Sequence, residues 1–186
     1  MHYRNISFTN LILTINQDLS LRSLNRFDAK KLFELVDQNS AFLNEYLPWV
    51  AYNKNQHDTN QFVDYCLKCH QNQTELHLVI LLKNQVTGVC SLTINQINNH
   101  ADIGYWITEE NAGKGIVTKA VQRLMKFGFE DLKLHKLIIK CAPENVPSNK
   151  IALKLNFKLE GLLEEHERHG NRYLSLNTYG FIHRKT

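Results

Sequence analysis

Apolar and polar residues alternate from Leu11 to Ser23 around the polar triplet Asn16-Gln17-Asp18, and this period of two predicts two short strands. From Asp28 to Asn39 the period becomes helical: Ala29, Leu32, Phe33, Leu35 and Val36 recur at three- and four-residue steps, with Asn25 or Asp28 as a candidate cap. A second helical stretch carries Phe42, Leu43, Tyr46 and Leu47 and is expected to stop at Pro48. A third is predicted from about Asp58 to Asn72, with Phe62, Tyr65, Cys66 and Cys69 along one face. The period then returns to strand. Leu76 to Leu82, Val86 to Ile94 and Ala101 to Ile107, separated by the polar turns Lys83-Asn84-Gln85 and Asn95 to His100, predict an antiparallel meander.

Past Gly115 the apolar positions Ile116, Val117, Ala120, Val121, Leu124, Phe127 and Phe129 predict an amphipathic helix. A strand follows from His135 to Ala142 and a short helix from Pro147 to Leu155, with the proline near its tolerated first position. Phe157 to Leu163 and Tyr173 to Ile182 predict two final strands about a turn at Gly170-Asn171. The expected fold class is mixed α/β (α+β) in a single domain over residues 1–186, without internal repeat or linker. The regular βαβαβ alternation of a doubly wound fold is missing.

Composition narrows the function classes. Over 186 residues, 43% hydrophobic and 22% charged residues are those of an ordinary globular domain. Runs such as Leu78-Val79-Ile80-Leu81-Leu82 are too short to span a bilayer, and Met1 to Asn5 do not open a signal peptide, so the expectation is a cytoplasmic protein without a membrane partner. A net charge of +4 without a basic run does not argue for nucleic acid, and suits a phosphate-bearing cofactor equally well. Cys90 and Cys141 lie in strand-like runs and read as buried small residues. Cys66-Leu67-Lys68-Cys69-His70 matches the C-x-x-C-H haem pattern, but on a helix the two cysteines simply share a face, and a zinc site lacks further ligands at sensible spacing. No metal is expected.

The segment richest in chemistry is Ile103-Gly104-Tyr105-Trp106-Ile107 followed by Glu110-Asn111-Ala112-Gly113-Lys114-Gly115-Ile116-Val117-Thr118. It reads as strand, glycine turn, helix. Two glycines two apart allow a sharp turn that brings N–H groups to one point, and the helix start adds unpaired donors and a positive dipole end. Together they make an anion site suited to a pyrophosphate, with Lys114 adding charge and Thr118 a hydroxyl. The spacing is neither that of a P-loop nor that of a dinucleotide fingerprint.

Asp102 to Ile107 followed by Gly113-Lys114-Gly115-Ile116 resembles the acetyl-CoA-binding core of GNAT N-acetyltransferases. The family motif [Q/R]-x-x-G-x-[G/A] reads here Glu110 to Gly115, with Glu110 departing from the usual first residue. Leu47-Pro48-Trp49-Val50, Glu144 to Ala152 and Leu155 to Gly161 resemble the L-P-W, N-x-x-S-x-x-[VA]-A and L-G-F-x-x-E-G segments of the RimJ/RimL branch, Asn156 replacing the glycine.

This resemblance runs from about Leu19 to the C-terminus. It implies a central mixed sheet in which Ala101–Ile107 and Lys136–Ala142 are parallel neighbours that splay apart around the acyl-pantetheine arm. It also implies transfer of acetyl from acetyl-CoA to an amine by direct attack in a ternary complex. Trp106 and Ile107 would pair with the pantetheine arm. Ala112, Gly113, Lys114, Gly115, Ile116, Val117 and Thr118 would hold the phosphates, and Asn145 and Asn149 would add contacts. Ser148 is the implied proton donor to the leaving thiolate. Glu167 is the implied general base, with His166 and His169 as alternatives because imidazole titrates near neutrality. Ser175 stands where relatives carry aspartate. The acceptor implied by the branch is a protein N-terminal α-amine, such as that of a ribosomal protein. A polyamine or antibiotic amine, or a non-catalytic acyl-CoA-binding module, are the competing readings. Homodimers are common in this branch.

Overall fold

The computed structural model describes residues 6–184. Eight strands form one sheet in the order β1-β2-β3-β4-β5-β6-β8-β7. They are β1 (Ile12–Thr14), β2 (Leu19–Ser23), β3 (Glu75–Leu82), β4 (Gln85–Asn95), β5 (His100–Ile107), β6 (Lys136–Cys141), β7 (Lys158–His169) and β8 (Arg172–Ile182). All neighbours are antiparallel except β5 and β6, which run parallel. The expected meander of β3, β4 and β5 is present.

Strand alternation sorts the side chains into two cores. Leu76, Leu78 and Ile80 of β3, Cys90 and Leu92 of β4, Ile103 and Ile107 of β5 and Leu137 and Ile139 of β6 face α4 (Ile116–Lys126) and form the larger core. Ala120, Val121 and Leu124 of α4 are fully buried against them. After Lys126 the helix loosens into a π turn, Phe127–Asp131, which carries Phe127 and Phe129 into the same core.

The opposite face packs α1 (Asp28–Gln38) and α3 (Gln56–Asn72) on Val79 and Val89. α3 starts at a capping box: the Asn55 side chain accepts from the His57 and Asp58 N–H groups, and Asp58 accepts from Asn55 N–H. Its inward stripe is Thr59, Val63, Cys66, Cys69 and His70. Phe62 and Tyr65 were expected on that stripe but sit at its margin, because the 3.6-residue repeat through 59, 63, 66 and 70 decides which side faces the sheet.

Three further expectations change. The stretch before Pro48 is helical only over α2 (Ser40–Leu43), and Pro48 opens a 3₁₀ turn, Pro48–Tyr52, because its missing N–H is not needed in a first turn. α1 has no side-chain cap bond; Asp28 instead takes Arg22 in a two-point ion pair at 2.7 and 3.0 Å and accepts from Asn25 N–H. β7 is longer than expected and bulged. Register slips between Leu163 and Glu167, Glu165 adopts φ 45°, and Ser175 Oγ accepts from Glu165 N–H at 3.1 Å. β7 is one of the two edges of the sheet, with Leu159, Leu162 and Leu163 exposed.

All four cysteines are buried free thiols. Cys66 is completely enclosed beside Leu24, Leu32 and Val79, and burial pushes its thiol well above the ordinary cysteine range. Among the described residues no group of three or more His, Cys, Asp or Glu side chains could hold a metal.

His70 is 2% exposed, and burial holds its imidazole down from the ordinary 6.5 to about 4. It is neutral at pH 7 and accepts the His77 main-chain N–H through Nε2 at 2.9 Å. As the pH falls below 6.5 the unfolded chain gains a proton that the folded chain refuses until about pH 4, so folding stability declines across that window. Denaturant titrations at pH 7 and pH 5 are expected to show a smaller pH-dependent loss in His70→Gln than in the wild type. An unchanged loss would place the acid sensitivity elsewhere.

Candidate active site

The parallel pair β5/β6 is hydrogen-bonded only from His100 and Lys136 to Ile103 and Ile139. β5 nevertheless continues to Ile107, held by β4, and β6 continues to Cys141, held by β8. Beyond Ile103 and Ile139 the two strands therefore part. At the parting, Lys140 Nζ, just past the last pair on β6, bridges back to Asp102 Oδ2 on β5 at 2.7 Å.

Strand parity decides which main-chain groups face the gap. Thr108 N–H donates to Thr87 O, and His135 N–H donates to Asn99 O. Even-numbered residues of β5 thus turn their main chain to β4, and odd-numbered ones turn theirs to β6. A Cβ on Gly88 would collide with the Trp106 carbonyl oxygen, which agrees with Trp106 facing β4. The main-chain groups of Tyr105 and Ile107 face the gap instead. Trp106 contributes its ring to the opposite face.

At the C-terminal end of β5 a 3₁₀ turn (Glu109–Asn111) leads into the glycine loop. Gly113 and Gly115 adopt φ 73° and 74°, which only glycine enters without cost, and Gly115 is the N-cap of α4. Lys114 is exposed between them. The turn combines left-handed glycines, an 11-residue helix whose N-terminal N–H groups lack a side-chain cap, and an adjacent lysine, a geometry that could hold an anion. Glu110 turns away, accepting from Asn111 Nδ2 at 3.1 Å.

The gap's other wall is the start of α5 (Val146–Lys154). Asn145 is its N-cap and accepts the Ser148 N–H at 3.1 Å. Asn149 has structural partners on every side: its Nδ2 donates to Ala142 O and Asn145 O, and its Oδ1 accepts from Asn177 and from the Tyr179 hydroxyl. Its side chain locks α5 onto β8. Ser148 is held buried by this lock, and its Oγ lies 2.8 Å from the Tyr105 hydroxyl. Burial raises the Tyr105 hydroxyl far above its ordinary range, and burial raises the Cys141 thiol beside Ser148 as well. Both stay protonated near neutral pH, so Cys141 is no thiolate nucleophile.

On the opposite face the gap meets a cavity of about 490 Å³. Trp49, Tyr52, Phe62 and Trp106 supply much of its wall, and Tyr105 reaches it from the gap. Trp49 and Trp106 meet at 6.3 Å between ring centroids. The floor is a row across the sheet, His77 on β3, Ser91 on β4 and Gly104 on β5, which are register partners. Asp58 also lines the cavity, but its carboxylate accepts the Lys54 and Asn55 N–H groups.

Glu167 lies beyond the β7 bulge, half-buried opposite Leu174. Leu174 packs with Leu176, Ala142 and Tyr46, on the cavity side of the sheet. His169 is tied through Nε2 to Asn44 O at 2.6 Å, and His166 is exposed on the bulge. Sequence reasoning missed that Tyr105 meets Ser148 and that His77 lines the cavity. Tyr105 sat inside the quoted motif, but only the fold shows its hydroxyl on Ser148.

The chain matches the acetyltransferase (GNAT) domain over residues 18–158. The ribosomal-protein-serine acetyltransferase of Escherichia coli (strain K12) is 30% identical over 171 residues, which cover 91% of this chain and 96% of that protein. The solved structure of RimL, ribosomal L7/L12 α-N-protein acetyltransferase, in complex with coenzyme A superimposes with TM-score 0.89 at 31% identity, covering 92% of this chain and 98% of that one. That of the microcin C7 self-immunity acetyltransferase MccE, in complex with acetyl-CoA and AMP, gives TM-score 0.88 at 30% identity over 96% and 99%.

Gly113→Val places a β-branched residue at φ 73°, a conformation costing an L-residue about 1–2 kcal/mol. Acetyl-CoA affinity by calorimetry is expected to fall about ten-fold while the variant stays folded. Unchanged affinity would remove the phosphate role of the loop.

Proposed function

The chain belongs to the GNAT acetyltransferase family and is an acetyl-CoA-dependent N-acetyltransferase, and on that premise we propose that its acceptor is an α-amine at a protein or peptide N-terminus. The parting of β5 and β6 carries this reading, because it joins an anion-binding loop on one side to an acceptor-sized cavity on the other. The phosphates belong at Ala112 to Thr118. The pantetheine arm runs between the parted strands, with the Tyr105 and Ile107 main chain on one side. Acetyl-CoA supplies the activated thioester carbonyl. Asn145 and Asn149 act through α5, as residues that hold Ser148 in place, rather than through direct side-chain contact with the cofactor.

The acceptor enters from the cavity face as an ammonium and must lose a proton before it attacks. An α-amine, with a pKa of about 8, loses it more readily at neutral pH than an alkylamine of about 10. Glu167, on the same face, is the proposed base. The attacking nitrogen bonds to the carbonyl carbon and the carbon–sulfur bond breaks; the thiolate takes the proton of Ser148, backed by Tyr105, while the nitrogen loses its second proton, which restores the Ser148 hydroxyl. Protonated Cys141 and Tyr105 are consistent with direct transfer, because neither offers an anionic nucleophile for a covalent intermediate.

The cavity also separates acceptor classes. A polyamine keeps further positive charges that need carboxylates, and the one carboxylate lining this cavity is occupied by two backbone N–H groups. A second reading has its own observation. The aromatic wall of Trp49, Tyr52, Phe62 and Trp106 suits a flat ring attached to the amine, such as an aminoacyl nucleotide, and MccE was solved with AMP.

The experiment is an acetyl-transfer assay with free α-amine peptides, an aminoacyl-adenylate analogue and spermidine. Transfer to an α-amine with little transfer to spermidine is expected; a preference for spermidine would overturn the α-amine reading. Glu167→Gln is expected to lower kcat about 100-fold or more with acetyl-CoA affinity unchanged, and full activity would move the base elsewhere. The exposed Leu159, Leu162 and Leu163 on edge strand β7 further support self-association into a homodimer. Sedimentation at rising concentration is expected to show dimers, and a monomer throughout would remove that assignment.

A further inference from the structure

We propose that His77, paired with Glu75, is a second proton acceptor for the incoming amine, reached along the cavity floor through Ser91. The inference rests on the cavity being the acceptor site.

The imidazole is 8% exposed and lines the cavity. Its Nε2 lies 2.7 Å from Glu75 Oε2, and Glu75 Oε1 accepts from the Tyr65 hydroxyl at 2.5 Å. The hydrogen bond from His77, partly offset by burial and helped by Tyr65, holds the Glu75 carboxyl below its ordinary range. Glu75 is thus an ionised acceptor that fixes the proton on Nε2 and leaves Nδ1 as the basic nitrogen. Phe62 packs edge-on at 5.6 Å and His70 stacks at 6.2 Å, fixing the ring from the α3 side.

The titratable groups around His77 come from α3 and from β3. From α3, His70 is held neutral by burial, Tyr65 is neutral and donates to Glu75, and Asp58 accepts backbone N–H groups. From β3 itself comes the Glu75 carboxylate. Ser91 on β4 carries no charge.

The row leads to the reaction. His77 is the register partner of Ser91, and Ser91 that of Gly104. Gly104 is the first residue of β5 past the last pair with β6. Two strand spacings separate His77 from Gly104, about 10 Å, so the Ser91 hydroxyl and one water suffice as a relay. The substrate ammonium gives its proton to the relay and the relay gives one to Nδ1. The resulting imidazolium is balanced by Glu75 and returns its proton to solvent after acetyl transfer. Glu167 and His77 then stand on opposite sides of the same gap.

The test measures kcat/KM against pH for whichever amine the chain acetylates, in wild type, His77→Gln, Glu75→Gln and Glu167→Gln, with acetyl-CoA affinity as the check of folding. His77→Gln is expected to lose about 100-fold at pH 7 and to recover towards wild type above pH 9, where the amine deprotonates unaided. Glu75→Gln, which leaves the imidazole in place, is expected to move the acid limb to lower pH because the imidazolium loses its counter-charge. A His77→Gln profile parallel to wild type would sink the proposal, as would an acid limb that shifts with Glu167→Gln and not with Glu75→Gln. Either result leaves acetyl transfer itself intact, whereas absence of transfer to every amine in the wild type would fail the α-amine reading.

Discussion

Two neighbouring parallel strands stop pairing after four residues, and the rest of the molecule depends on that interruption. Unpaired main-chain groups inside a sheet are costly unless something else satisfies them. Here each strand keeps its other neighbour: β5 remains bonded to β4 up to Ile107 and β6 to β8 up to Cys141. Gly88 allows the close approach of β4 to the Trp106 carbonyl, and the Asn149 lock binds α5 to β8. The gap is thereby a rigid feature, open to a partner that can complete the broken ladder. An extended amide-bearing arm of a cofactor fits that requirement.

The gap also separates two kinds of chemistry. On the α4 face lie the left-handed glycines, the helix N-terminus, and the Ser148–Tyr105 pair, all suited to anions and to protonating a leaving group. On the α3 face lie an aromatic cavity and the proposed proton acceptors, Glu167 from one side and the Glu75–His77 pair from the other. An acyl transfer to an ammonium needs both functions, a proton removed from the nucleophile and one supplied to the leaving sulfur. In the proposed reading, placing them on opposite faces keeps the acid from neutralising the base. Burial reinforces the division, since it keeps Tyr105 and Cys141 protonated while Glu75 is held ionised by its hydrogen bonds.

The local elements were legible because their causes are local. Periodicity located the helices and strands to within a few residues, and the glycine spacing before Ile116 located the left-handed turn at the start of α4, since such turns and helix N-termini depend on neighbours in sequence. The misses were those in which tertiary packing chose between local options. Pro48 could end a helix or begin a 3₁₀ turn, and α3 could face the sheet with Phe62 or with Val63. The strand expected to end at Leu163 continues, because the Ser175 hydroxyl folds Glu164 to His166 into a bulge that carries Glu167 onward.

The sequence by itself determined the α+β class and the family, and it nominated the candidate phosphate loop, serine and glutamate, because each is written in contiguous residues of fixed spacing. Only the tertiary structure decided that Trp106 turns its main chain away from the gap while Tyr105 and Ile107 face it. It alone joined Tyr105 to Ser148 across 43 positions, gave Asn149 a structural task, and set His77, Ser91 and Gly104 in one row. Those relations depend on strand register, and register is fixed by the packing of distant hydrophobic faces, which no local window of the chain contains.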